Sequence, residues 1–243
     1  MSHNASAIVI GVGPEHGLGG VLGRRFARLG YHTFVAGRSQ DKLDAVASTI
    51  RSQGGRATPV VADTTEEAVV ISLFDRAEAE APVEVAIFNA GNAMPGDLRT
   101  METGYFELCW RIACFGGFLF GREAARRMAP RGRGTLLFTG ASASMRGRPN
   151  FAAFAAAKAG LRALAQSMAR EFQPQGIHVG HVVIDGGIAG DKIEQGFPQF
   201  AEALGEDGLI GLEGIADIYQ MLHRQPRNAW SHEVDVRTFK ESF

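Results

Sequence analysis

Short β-rich apolar runs at residues 7–12, 33–36, 57–62, 83–88, 135–139 and 177–184 alternate with longer stretches of helical pattern. Each run is apolar throughout and does not alternate, as strands do when both of their faces are covered. The rhythm predicts an α/β fold, a doubly wound parallel sheet with helices on both faces. At 243 residues with 45% hydrophobic content the chain can bury a large core. It has no repeat, low-complexity tract or linker, so residues 1–243 are read as a single domain.

Charge and composition narrow the partners. A net charge of -1 argues against a basic groove for nucleic acid and against a polybasic membrane face, which leaves a small-molecule substrate. No apolar run reaches the ~18 residues that span a bilayer, and residues 1–6 lack a basic segment followed by an apolar one, so a soluble, cytoplasmic protein is expected. Cys109 and Cys114 lie five apart in a helical pattern, which suits buried free thiols better than a bridge. The seven histidines include no pair at helical ligand spacing, and His178 and His181 should face opposite sides of a strand, so no metal is assigned.

Two long helices are predicted, over residues 102–129 and 150–172. The second is alanine-rich and apolar on more than one face, which implies burial on two sides and predicts a homodimer or homotetramer. Residues 186–211, glycine-rich with scattered charge, read as a mobile segment on the substrate side. Substrate contacts are expected from residues 94–99, 143–150 and 188–208.

Directly after the first run comes Gly11-Val-Gly13-Pro-Glu-His16-Gly17-Leu18-Gly19-Gly20, followed at once by a helical pattern. A glycine cluster between a strand and a helix permits a tight turn and close backbone approach. The helix N-terminus then offers unpaired N–H groups and partial positive charge to a pyrophosphate. The second run ends at Gly37-Arg38, with no acidic residue for a ribose 2′-hydroxyl. The forked guanidinium of Arg38 suits a 2′-phosphate, so NADP(H) is expected in preference to NAD(H), and His16 adds a donor on the loop.

These residues resemble the short-chain dehydrogenase/reductase family, in its branch of about this length, over essentially the whole chain. The likeness is carried by Gly13-xxx-Gly17-x-Gly19, by Asp63 after the third run, by Asn89-Ala90-Gly91 after the fourth and by Lys158 in the alanine-rich helix. It implies a Rossmann fold, with Asp63 at the adenine, Asn89, Ala90 and Gly91 flanking the cofactor, and Lys158 at the nicotinamide ribose. With the loop residues Gly13, His16, Gly17, Leu18 and Gly19, with Arg38, and with Gly186 and Ile188 after the sixth run, these make up the expected cofactor-binding set.

The family's chemistry uses a tyrosine, a serine and an asparagine, and this chain departs from all three. Four residues before Lys158 stands Phe154 in place of the tyrosine, and thirteen before that stands Ala141 in place of the serine. Ala113, to within a residue, stands in place of the asparagine, and Asp185-Gly186 replaces the usual Pro-Gly. Phe154 has no proton to give to the alkoxide that hydride transfer creates, and general acid catalysis is worth about 10²–10⁴-fold. One reading is an NADP(H)-dependent oxidoreductase with a non-standard proton relay. In it Thr139, Ser142 or Ser144 delivers the proton, or the substrate is cationic and Asp185 stabilises its charge. The alternative is a catalytically silent NADP(H)-binding or partner subunit, and non-redox chemistry on the same scaffold is a third.

Overall fold

The structure is a computed structural model that describes residues 4–91 and 93–241. Seven parallel strands form one sheet in the order β3-β2-β1-β4-β5-β6-β7. They are β1 (Ser6–Ile10), β2 (His32–Gly37), β3 (Arg56–Val61), β4 (Val83–Phe88), β5 (Gly134–Thr139), β6 (Ile177–Ile184) and β7 (Glu233–Val236). Among them run α1 (Leu18–Arg28), α2 (Gln40–Ser52), α3 (Glu67–Glu80), α4 (Thr103–Trp110), α5 (Gly116–Met128), α6 (Ala152–Phe172), α7 (Asp191–Glu194), α8 (Pro198–Leu204) and α9 (Leu212–Arg224).

The six predicted strands form, and a seventh joins them at the edge. On β1, Ala7 and Val9 face the core layer built by α1, α2 and α9, while Ile8 and Ile10 face the layer of α3, α5 and α6. Both sets are buried, so the apolar residues run without interruption along the strand. The predicted helix over 102–129 is α4 and α5 joined by a π-helical turn, Arg111–Phe115, which holds Ala113 at 1% exposure. Such turns carry an extra residue and concentrate at functional sites. Cys109 is buried and Cys114 half-buried, and neither is bridged.

Strand order reverses between β1 and β4, and doubly wound sheets hold their ligands outside the carboxyl ends of the strands at such a switch point. Residues 186–211 fold over this edge as α7, α8 and a bridge between Ile188 and Ile210. The segment rests on the glycine turn, with the Asp191 N–H donating to the His16 carbonyl at 2.9 Å. No helix of the described residues is long and apolar enough to cross a membrane.

Candidate active site

The turn between β1 and α1 is shaped by what its glycines lack. Gly11 has φ +88°, and a Cβ there would lie 2.5 Å from the Ala90 nitrogen, so only glycine lets β1 and β4 meet here. A Cβ on Gly19 would lie 2.8 Å from Val12 Cα, holding α1 tight against the strand end. Gly13 differs, because a Cβ there would meet nothing within 4 Å. It faces open space in front of the α1 N-terminus, where Gly17 caps without a side chain and no acidic residue occupies the first turn. An anion therefore finds backbone N–H groups and partial positive charge with no competitor.

The neighbouring predicted residues arrange themselves around that space. Asn89 donates to the Gly11 carbonyl at 3.1 Å and accepts from the Thr139 hydroxyl at 3.0 Å, tying β1, β4 and β5 together. Asp63 uses one carboxylate oxygen to accept from the backbone and hydroxyl of Thr65, both at 2.8 Å. Arg38 is exposed and makes no hydrogen bond or ion pair among the described residues. His16 is exposed on the loop, 3.9 Å from Glu194, while Leu18 turns into the core. Gly186 and the half-buried Ile188 begin the segment that crosses above.

Lys158, from α6, reaches the end of β5. Its ammonium donates to the Thr139 carbonyl at 2.8 Å and to the Ala90 carbonyl at 3.3 Å. A Cβ on Gly91 would lie 3.1 Å from both Nζ and Cε and 3.9 Å from the Phe154 ring, so Gly91, Phe154 and Lys158 share one wall. Burial pushes the Lys158 ammonium down to about 8, with a smaller push from Lys192. Ala141 opens the turn after β5, and its N–H donates to the Ser144 hydroxyl at 3.1 Å.

The substitute proton donors and charge partners weighed from sequence are otherwise engaged. Thr139 turns its hydroxyl to Asn89 and to the fully buried Tyr219 of α9, 2.6 Å away. Ser142 hydrogen-bonds Asp185. Asp185 is not the free carboxylate that a cationic substrate requires. It is 1% exposed, bidentate to Arg146 at 2.8 and 3.0 Å, and 3.2 Å from Arg237. Burial pushes its carboxyl up, yet the two arginines and Ser142 outweigh this and hold it below the usual carboxylate range.

A second buried group went unnoticed in the sequence. His181 on β6 donates or accepts at Nδ1 with Glu233 at 2.9 Å, and Glu233 is also held by Arg162 at 2.7 and 2.8 Å. Arg162 keeps the Glu233 carboxyl low, while burial keeps His181 below the ordinary imidazole range, as it does His178 and His32. These shifts set a sign. Above about pH 6.5 a neutral histidine adds no pH dependence; below it the unfolded imidazoles take up protons that the folded ones refuse. Stability is therefore expected to be flat from about pH 7 to 8 and to fall as pH drops through 6 and 5. Between about 4.5 and about 2 the unfolded Glu233 carboxyl takes up a proton that the folded one, held by Arg162, refuses, so stability falls further. Urea unfolding at pH 7.5 and 5 checks this, and His181→Ala should flatten the slope; an unchanged midpoint would refute it.

A doubly wound sheet with an open glycine turn at its switch point defines an α/β protein of the Rossmann class. Residues 7–193 match the short chain dehydrogenase family. A short-chain dehydrogenase from Rhodopseudomonas palustris of known structure is 36% identical, with a TM-score of 0.83 over 98% of this chain and 100% of its own. The cis-4-hydroxycyclohexanecarboxylate dehydrogenase of Sinomonas cyclohexanicum is 31% identical over 196 residues, 80% of this chain and 78% of its own. A chloroplastic NADPH-dependent aldehyde reductase-like protein of Arabidopsis thaliana is 28% identical over 227 residues, 87% of this chain and 84% of its own. The chain belongs to the short-chain dehydrogenase family of oxidoreductases.

Proposed function

We propose that this protein is an NADP(H)-dependent oxidoreductase that interconverts a small-molecule carbonyl and alcohol without the family's tyrosine. The observation that carries the reading is the cradle at Gly13, open in front of an uncapped helix N-terminus, with the Arg38 guanidinium, unpaired among the described residues, just past the end of β2. These residues fit a dinucleotide phosphorylated at the 2′ position: the turn holds the diphosphate and Arg38 grips the extra phosphate. Asp63 and Asn89-Ala90-Gly91 flank the adenine and nicotinamide ends, and Lys158 holds the ribose. The bound nicotinamide supplies or accepts hydride. Phe154 and Ala141, both half-buried, make the wall beside it apolar. The names of the Arabidopsis and Sinomonas relatives, an NADPH-dependent reductase and a hydroxy-acid dehydrogenase, support the same chemistry.

Titration with NADPH and NADH by fluorescence, followed by a panel of ketones, aldehydes, enones and imines, tests this. NADPH should bind at least about tenfold more tightly than NADH, and Arg38→Asp should abolish or reverse that ratio, since one charged bidentate contact is worth about 1.5–3 kcal/mol. Equal affinities in the unaltered protein would remove Arg38 from the reading. The exposed Phe106, Trp110 and Phe118 on α4 and α5 form the apolar surface through which the expected homodimer or homotetramer would assemble.

A further inference from the structure

We propose that the substrate carries a carboxylate and that the Arg148 guanidinium, in the turn between β5 and α6, is the group that binds it. The inference rests on the oxidoreductase reading and adds the class of molecule turned over, an oxo acid and its hydroxy acid. It begins with three arginines gathered on the substrate side of the sheet, Arg146 and Arg148 after β5 and Arg237 after β7. Two of them are committed. Arg146 and Arg237 both lie on Asp185, which is sealed from solvent; Arg146 grips it in bidentate fashion, and Arg237 is also held by Asp235. Arg148 is different. Its side chain is 53% exposed, and its one carboxylate partner among the described residues is Glu241, met through a single contact of 2.8 Å.

Glu241 marks where a carboxylate settles beside the site. It comes from the segment after β7, outside every strand and helix, where its backbone N–H donates to the Thr238 carbonyl at 3.2 Å. One of its carboxylate oxygens is on Arg148 and 3.7 Å from Arg146. The other lies 3.7 Å from the point that a Cβ on Gly186 would occupy, at the start of the segment that crosses the substrate side. From Arg148 an unbroken run of polar contacts then leads inward through Glu241, Arg146 and Asp185 to Ser142, the residue after Ala141. The run ends at the apolar wall that Ala141 and Phe154 form.

The chemistry of the pair makes Glu241 replaceable. An ion pair between partly exposed side chains is screened by water and held weakly. A guanidinium can also offer two parallel N–H groups to one carboxylate, as Arg146 does to Asp185, whereas Glu241 takes only one from Arg148. A substrate carboxylate that engages both is the better-matched partner. It takes the place of a like charge, so the cluster keeps its balance while the Glu241 carboxylate turns to water. A neutral substrate gains nothing of the kind, and a cationic one meets three arginines. The carbonyl end of the oxo acid then lies toward the apolar wall, where no charge competes with it.

The test has a readout apart from turnover. Binding is measured by calorimetry on the NADP⁺-loaded protein, which cannot reduce a ketone, with levulinate and 5-oxohexanoate as probes and their methyl esters as neutral counterparts. Each acid should bind at least about tenfold more tightly than its ester, and the margin should shrink with added salt. Glu241→Gln removes the carboxylate that the substrate must replace, so affinity for the acids should rise about threefold or more while that for the esters stays within about twofold. Arg148→Gln should erase the margin, and Arg148→Lys, which keeps the charge but not the fork, should restore part of it. Esters that bind as tightly as the acids in both the unaltered protein and Glu241→Gln, or a margin that survives Arg148→Gln, overturn the proposal and leave the oxidoreductase reading intact. Failure of acids and esters alike to bind overturns it too. A margin that depends on Arg148, with no ketone reduced by NADPH across the panel, sinks the oxidoreductase reading and keeps the carboxylate site.

Discussion

Restoring both hydroxyls, by Ala141→Ser together with Phe154→Tyr, is expected to raise kcat for ketone reduction by about 10²-fold, the lower end of what general acid catalysis supplies. Phe154 already lies against Lys158, so a tyrosine oxygen added to the same ring enters the field of a buried ammonium, which favours its ionised form and eases proton release. Ala141 and Phe154 are both half-buried, so the two added oxygens can keep a water contact and need not be left unpaired. Phe154→Tyr alone should recover most of the gain, because it adds the proton. Ala141→Ser alone should change kcat less than threefold, because it orients a substrate oxygen that still lacks a better acid. A double variant no faster than the unaltered protein, with NADPH affinity retained, would show that proton transfer does not limit this site.

What the residue string revealed of all this follows its physics. Six strands were legible because each is covered on both faces and so reads as an apolar run; β7 was not, because Glu233–Val236 is four residues long at the sheet edge and half polar. The glycine turn announced itself through local constraints: Gly11 and Gly19 are fixed by backbone approach within one strand–turn–helix unit. The partners of Asp185 and Thr139 were not legible, for the opposite reason. Their partners come from elsewhere in the chain: Arg146 and Arg237 flank Asp185, and Tyr219 lies eighty residues beyond Thr139. No periodicity reports such a pairing. The His181–Glu233–Arg162 group is hidden in the same way, since it joins β6, β7 and α6. Lys158 was found by its spacing, but its two carbonyl partners, Thr139 and Ala90, came into view only in the fold.

Two alanine substitutions two residues apart should separate folding from ligand binding at the turn. Gly13→Ala should leave thermal stability within about 1 °C, because its Cβ meets nothing within 4 Å and no positive φ is demanded of it. The same methyl projects into the cradle, where a diphosphate must approach the backbone closely, so NADPH affinity should fall at least about tenfold. Gly11→Ala should do the reverse in order of cause. Its φ of +88° strains any side chain, and its Cβ would press to 2.5 Å on the Ala90 nitrogen and 2.6 Å on the Asn89 carbonyl carbon. Strain of about 1–3 kcal/mol and overpacking of about 1–3 kcal/mol combine to lower the melting temperature by about 5–15 °C. Binding is lost there because β1 and β4 separate and Asn89 is pulled from the Gly11 carbonyl. Calorimetric melting and NADPH titration of the two variants side by side decide the point. A Gly13→Ala protein that binds NADPH as tightly as the unaltered chain would mean that the open space at the switch point is not where the diphosphate lies.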